Sequence, residues 1–259
     1  MKLRVVKKLV ISKERLETDA LVVNEMNVGE NDKLLTLLSR KYGIIRAFSS
    51  GSKKINSKKF SASSLLSYAN FSLVKTGDTY KIYEAEIINS FFDVGSDITL
   101  LSIAQYFCEL ASKTVPTETY AEDYLRLFLN SLYFLIKEKL NPELIKAITE
   151  LRLSAVMGYM PMLVACDNCA KYEDDVMYFN LNSGKIFCNN CIENKNECVA
   201  VDRTILSAMR HIVFSPFQNI YKFSIPDEKI SILSNITEKY IELQTEHSFK
   251  TLDFYKQIK

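Results

Sequence analysis

The alternation of apolar and polar positions divides the chain into two regimes. Residues 20–90 read as strands. Ala20-Leu21-Val22-Val23 is a short apolar run, and Leu34-Leu35-Thr36-Leu37-Leu38 is a second, too short for a helix. Arg40-Lys41-Tyr42-Gly43 reads as a turn, with Gly43 free to take a positive φ. Ile44-Ile45-Arg46-Ala47-Phe48 follows as a strand. Gly51 to Ser64 is polar and reads as a loop. Tyr68–Val74 and Tyr80–Ile87 alternate on either side of a turn at Lys75-Thr76-Gly77-Asp78. Five short strands joined by turns and one long loop predict a small barrel or sandwich.

After Gly95 the period lengthens to that of a helix. Ile98, Leu101, Ala104, Phe107, Cys108 and Ala111 form one stripe. Tyr124, Leu125, Phe128, Leu132, Leu135 and Ile136 form a second. Leu144, Ile145, Ile148, Leu151, Ala155 and Val156 form a third. Pro116 and Asn141-Pro142 separate the three. Further on, Asp202 is placed to cap a helix through Val213 that carries Ile205, Met209 and Ile212. Pro226-Asp227-Glu228 opens a last long helix with Ile230, Leu233, Ile236, Tyr240 and Leu243 as its stripe.

Between these helices the pattern breaks at Cys166-Asp-Asn-Cys169 and again at Cys188-Asn-Asn-Cys191. A CxxC turn aims two sulfurs at one point, and two such turns make a tetrahedral four-thiolate site suited to zinc. Two disulfides or a redox dithiol are the competing readings. Val176–Asn180, Asn182-Ser183-Gly184 and Lys185–Phe187 read as a hairpin between the turns, the body of a zinc ribbon inserted at about residues 163–200. Four thiolates close the coordination shell and leave a net charge of −2 on the site, so a structural ion is expected rather than a catalytic one. Cys108 falls on an apolar helix face and reads as core, and Cys198 reads as a bystander.

Composition narrows the picture little, because 47% hydrophobic and 25% charged residues are ordinary. Six cysteines in a chain of 259 residues, four of them at metal spacing, point to a reducing compartment. The basic start, Met1 to Lys8, has its apolar runs broken by Lys and Arg, so neither a signal peptide nor a membrane span is read there, and a cytoplasmic location is expected. Charge is more telling once divided. Residues 1–60 hold 14 Lys/Arg and 6 Asp/Glu, while the remaining 199 hold 19 and 25. A basic front on an acidic body suits contact with a polyanion.

The basic front concentrates at Gly51-Ser52-Lys53-Lys54-Ile55-Asn56-Ser57-Lys58-Lys59-Phe60, read as lying near the Arg40-Lys41 turn and Arg46. Closely spaced lysines with small hydroxyl donors suit a nucleic-acid backbone. Tyr42, Phe48 and Phe60 offer stacking faces. Enzymatic patterns are nearly absent. His211 and His247 have no partner at motif spacing, Glu173-Asp174-Asp175 reads as a solvated acidic turn, and there is no GxxxxGK[ST], GxGxxG or HExxH. A zinc-ribbon transcription or RNA-processing factor and a metal-dependent nuclease remain as other readings.

Three stretches carry a resemblance to a known family. One runs from Glu30-Asn31-Asp32-Lys33 through Tyr42-Gly43-Ile44-Ile45-Arg46 to Ser50-Gly51-Ser52-Lys53-Lys54. Another is Glu150-Leu151-Arg152-Leu153 with Met157-Gly158-Tyr159 and Pro161. The last is Phe249-Lys250-Thr251-Leu252-Asp253-Phe254. In this order they resemble the RecO family of bacterial recombinational repair proteins. The resemblance implies a multidomain α+β chain. An N-terminal OB-fold β-barrel spans residues 1–90, with residues 1–17 as an extra basic leader, and an α-helical domain spans 91–259. It implies binding of single- and double-stranded DNA, annealing of complementary strands, and work with RecR to load RecA onto DNA coated by single-stranded DNA-binding protein. The expected function is therefore DNA repair without catalysis, at the nucleoid during repair. The residues expected to meet DNA are Arg40, Lys41, Arg46, Lys53, Lys54, Lys58 and Lys59. The coat protein's acidic tail is expected on the helical domain, with Arg126 and Arg152 as its candidates. Cys166, Cys169, Cys188 and Cys191 are expected to hold one structural zinc ion. Not every member of the family keeps these cysteines, so zinc is not expected to serve the shared function.

Overall fold

The computed structural model describes residues 15–54, 57, 59–92 and 97–258. Strands β1 (Arg15–Val28), β2 (Asp32–Ser39), β3 (Gly43–Ser49), β4 (Ser67–Thr76) and β5 (Thr79–Ser90) close into a barrel in the order β1-β2-β3-β5-β4. β1 to β3 carry adjacent apolar residues, Leu21-Val22, Leu37-Leu38 and Ile44-Ile45, because both faces are covered at that end of the strands. Ala20, Val22, Leu37 and Ile45 point into the barrel with Leu35, Ala47, Phe71, Leu73 and Ile82. Their neighbours Leu21, Val23, Leu38 and Ile44 point outward into the core of the helical region. β1 starts at Arg15 and pairs from Arg15↔Val74 onward, so Arg15–Glu17, expected in a leader, are barrel strand. The rest of that leader, residues 1–14, lies outside the described residues.

The seam at β5 is only partly closed. β3 and β5 pair in parallel at Ala47↔Tyr80 and Phe48↔Lys81. Beyond Lys81 no strand among the described residues joins the outer edge of β5, and Tyr83, Ile87 and Ile88 are exposed there.

Helices α1 (Ile98–Thr114), α2 (Glu122–Ile136) and α3 (Pro142–Val156) follow, as the stripes predict. The starts of α1 and α3 obey capping chemistry. Asp97 accepts from the Thr99 and Leu100 amides, and Asn141 accepts from those of Glu143 and Leu144 with Pro142 at the first turn. α4 (Arg203–Phe214), α5 (Asp227–Thr245) and α6 (Lys250–Ile258) complete the bundle. Ile98 and Leu243, placed on buried stripes by their spacing, are exposed because they sit in terminal turns that the neighbouring helices do not reach.

The cysteine stretch contains β6 (Val176–Asn180) and β7 (Lys185–Cys188), paired as a hairpin. A third strand, β8 (Cys198–Asp202), adds to the other edge of β6, giving the order β7-β6-β8. The hairpin expectation missed β8, because Cys198-Val-Ala-Val is short and follows a polar run. Cys198 is therefore a strand residue opposite Asn180. Asp202 ends β8 and caps α4 by accepting the Ile205 amide at 2.9 Å, so the lobe passes into the bundle without a linker.

Barrel and bundle meet at the β2–β3 turn. Gly43 has φ +62° and lies so close to the segment before α2 that a Cβ would stand 2.0 Å from the Pro116 carbonyl oxygen. The Ile44 amide donates to that oxygen at 3.1 Å, and the Ala121 amide donates to the Arg40 carbonyl at 2.8 Å. Deeper in the bundle, Lys146 on α3 is fully buried with Glu150 at 3.1 Å and Glu238 at 2.8 Å.

Candidate nucleic-acid interface and metal centre

The basic residues singled out in the sequence do not form one cluster. The Arg40-Lys41 turn and the lysine loop lie at opposite ends of the β2–β3 hairpin, since Ser39 pairs with Gly43 at one end and Lys33 with Ser49 at the other. Six residue steps of strand separate them by about 20 Å. Arg46 is exposed midway, opposite Thr36. The basic positions thus follow the hairpin as a line.

Arg40 is committed to other partners. Its Nε and NH2 group hold both Asp19 oxygens at 2.9 and 2.6 Å, and its NH1 group reaches Glu122 at 2.7 Å. Burial pushes the Asp19 carboxyl up, but hydrogen bonds from Arg40 and Tyr68 outweigh it and hold it below its usual value. Arg40 therefore ties barrel to helix, and its guanidinium is already matched by carboxylates. Lys41, next in sequence, is exposed.

The loop itself is ordered at both ends. The Lys53 amide donates to the Asn31 carbonyl at 3.0 Å, and Lys53 Nζ reaches the Gly29 carbonyl at 3.3 Å. Lys54 is exposed. Lys59 Nζ donates to the Ile82 carbonyl at 3.0 Å, on the open edge of β5. Burial, with help from nearby Lys81, holds the Lys59 ammonium below its usual value. Lys58 lies outside the described residues. Of the stacking candidates, Phe60 is exposed and Phe48 half-buried, while Tyr42 lies half-buried against Tyr80 at a centroid distance of 6.2 Å.

Arg126 on α2 and Arg152 on α3 do meet. Both lie over the ring of Phe217, at 5.0 and 4.5 Å from its centroid. They differ in freedom. Arg126 is exposed, whereas Arg152 donates to the Ile212 and Val213 carbonyls at the end of α4. No spacing rule would have picked out Phe217, which comes from the stretch between α4 and α5.

The sulfurs of Cys166, Cys169, Cys188 and Cys191 all lie within 4.8 Å of one another. Cys169 and Cys188 sulfurs are 3.7 Å apart, far beyond the ~2.05 Å of a disulfide. Metal–sulfur bonds of ~2.3 Å in a tetrahedron place sulfurs about 3.8 Å apart, so the set fits a metal ion. The lobe is built for it: the Cys188 amide donates to Cys166 Sγ at 3.3 Å, and a tight turn joins the Ala170 amide to the Cys166 carbonyl at 2.9 Å. Burial pushes the Cys166 thiol up, yet backbone N–H groups of Cys188, Cys169 and Asn168 outweigh it and bring it to about 6. Hydrogen bonds with Cys169 and Cys188 push the Cys191 thiol up to about 12. Crowded sulfurs share protons that a cation would displace. Elsewhere, Cys108 is buried, and burial pushes its thiol up to about 12. The acidic turn is neutralised locally: Lys171 holds Asp174 at 2.8 Å and Arg203 holds Asp175 at 2.9 Å. Both ring nitrogens of His211 are occupied, by the Asn219 carbonyl and the Ser215 hydroxyl.

Comparison with known proteins places this architecture. Residues 14–91 match the family model described as Recombination protein O N terminal, and residues 95–253 match Recombination protein O C terminal. The chain belongs to the RecO family. Relatives named "DNA repair protein RecO" cover nearly all of it. One from Acetivibrio thermocellus is 30% identical over 243 residues, covering 94% of this chain and 97% of that protein. One from Caldicellulosiruptor bescii is 29% identical, with 94% and 98% covered, and one from Dehalococcoides mccartyi is 30% identical, with 91% and 93% covered. Membership of the RecO family supports a role in DNA repair. No helix among the described residues is long and apolar enough to cross a membrane.

Proposed function

We propose that this chain is a non-enzymatic DNA mediator: it binds single- and double-stranded DNA, anneals complementary strands, and with RecR helps load RecA onto DNA coated by single-stranded DNA-binding protein. The observation that carries the reading is the line of exposed cations along the β2–β3 hairpin of a five-stranded closed barrel, ending in the lysine loop. Its strand order suits an OB-fold, a scaffold for single strands. Lys41, Arg46, Lys53, Lys54 and Lys59 would neutralise phosphates, so that two strands approach without full repulsion. Lys58 is included from its sequence position alone. Arg40 is left out, because Asp19 and Glu122 already hold it.

The helical region would supply partner contacts. Exposed Arg126 beside Phe217 suits the carboxylate and aromatic end of the coat protein's tail, with Arg152 also over the same ring. The four cysteines would hold one structural Zn²⁺, which stabilises a lobe too small to fold by burial alone. This reading places the protein in the cytoplasm, at the nucleoid during repair.

The test is strand annealing with and without the coat protein, comparing wild type with Lys53, Lys54, Lys58 and Lys59 changed to Glu. The variant should lose annealing. Wild-type binding should fall steeply between roughly 50 and 300 mM salt and depend little on sequence. Binding that ignores salt, or strand cleavage in Mg²⁺ that tracks with the purified protein, would overturn it.

A further inference from the structure

Two carboxylates sit where a phosphate-binding face would be expected to exclude them. Glu25 lies on β1, and Asp32 starts β2, both at the end of the barrel that carries the lysine loop. Between them they grip that loop. Asp32 Oδ1 accepts the Gly51 amide at 2.8 Å. Glu25 Oε2 accepts the Leu65 amide at 3.0 Å, past the far end of the loop. The same Glu25 oxygen accepts Lys33 Nζ at 3.0 Å. Lys33 is 8% exposed, donates also to the Ser63 carbonyl at 3.3 Å, and lies 5.9 Å from the centre of the Phe60 ring. A bond of 3.1 Å between the Ser49 and Ser63 hydroxyls closes the same corner.

Lys33 is thus a cation of the basic front that faces inward. Its charge is matched by Glu25, and its donors are used on the loop's own backbone. Without Glu25 the buried Lys33 ammonium and the more exposed Leu65 amide would lose their common acceptor.

We infer that Glu25, with Lys33 and Asp32, is a positioning residue that fixes the lysine loop for nucleic acid without touching the nucleic acid itself. The inference rests on the reading of that loop as a DNA site. It reverses the electrostatic expectation. Removing a carboxylate from a basic face should strengthen binding to a polyanion if charge alone decides. Here it weakens binding.

Two variants of equal charge separate the effects. Glu25→Gln keeps an oxygen that accepts both bonds, and Glu25→Ala does not. For a short single-stranded oligonucleotide at fixed salt, Glu25→Ala should bind about fivefold more weakly than wild type, and Glu25→Gln within about twofold of it. Limited trypsin should cut after Lys53, Lys54 or Lys59 faster in Glu25→Ala and at the wild-type rate in Glu25→Gln. If both variants bind alike, as tightly as wild type or more so, with unchanged cleavage, Glu25 does not position the loop. If Glu25→Ala is cut faster yet keeps its affinity, the clamp stands but the loop is not the DNA site, and the inference falls with the reading beneath it.

Discussion

Glu109 on α1 acts as a cap for a helix that starts 141 residues further along the chain. Its carboxylate accepts the Lys250 and Thr251 amides at 3.3 and 2.9 Å, and pairs with Lys113 at 2.7 Å. Burial pushes this carboxyl up, but the bonds from Lys113 and Thr251 outweigh it and lower it from 4.5 to about 2. Because the folded-state value is depressed, the contribution is complete above about pH 4.5 and is lost as pH falls toward 2. Glu109→Ala should cost about 1–2 kcal/mol near neutral pH. The gap between its thermal midpoint and that of wild type should narrow as pH drops from 5 to 2. Lys146 is a sharper case. Burial pushes the Glu150 carboxyl up while Lys146 opposes it, so Lys146→Met leaves a buried carboxylate without its cation. A loss of about 3–5 kcal/mol is expected, read as a lower urea midpoint. Neither residue stood out in the sequence. Lys146 and Glu150 are spaced like any solvated helix pair, and packing of α5 and of Tyr106 on α1 over them buries the charges.

At the scale of elements, caps and stripes were legible and edges were not. Asp202 caps the helix it precedes, as its place before the apolar stripe predicts, because the capping bond is local; Asp97 and Asn141, not singled out as caps by the pattern, do the same. β8 was hidden because its pairing with β6 depends on the fold of the lobe between them. The pairing of Arg40 was hidden for a related reason: its partners Asp19 and Glu122 lie 21 and 82 residues away. The cysteine lobe makes a separable prediction. Cys166→Ser, or a strong chelator, should raise amide exchange across β6 and β7 and leave oligonucleotide binding by the barrel mostly intact. A well-folded Cys166→Ser protein without DNA binding would contradict that division of labour.

Across the whole molecule, barrel and bundle share one core. Leu21, Val23, Leu38, Ile44, Leu66 and Phe91 belong to the same buried cluster as the faces of α1 and α2. The sequence marked where β structure ends and helices begin, but a break in periodicity cannot say whether two halves part or press together. The adjacent apolar pairs Leu21-Val22, Leu37-Leu38 and Ile44-Ile45 held that information, since strands of a barrel standing alone would alternate. Gly43 tests the coupling. Its positive φ and the adjacent Pro116 carbonyl leave no room for a methyl group. Gly43→Ala should therefore destabilise barrel and bundle together, seen as one lowered transition by both tyrosine fluorescence and far-ultraviolet circular dichroism.

The half-open seam of the barrel has a colloidal consequence. Past Ile82, whose carbonyl is taken by Lys59, no strand among the described residues covers the outer edge of β5, and Tyr83, Ile87 and Ile88 are exposed alongside. Glu84 and Glu86, both exposed, stand among them as like charges that two copies would have to bring together. Changing both to Val would remove that mutual repulsion while leaving every buried contact in place. Light scattering at high concentration should then climb with time, and the protein's shelf life would turn out to rest on two glutamates that neither build the fold nor serve its chemistry.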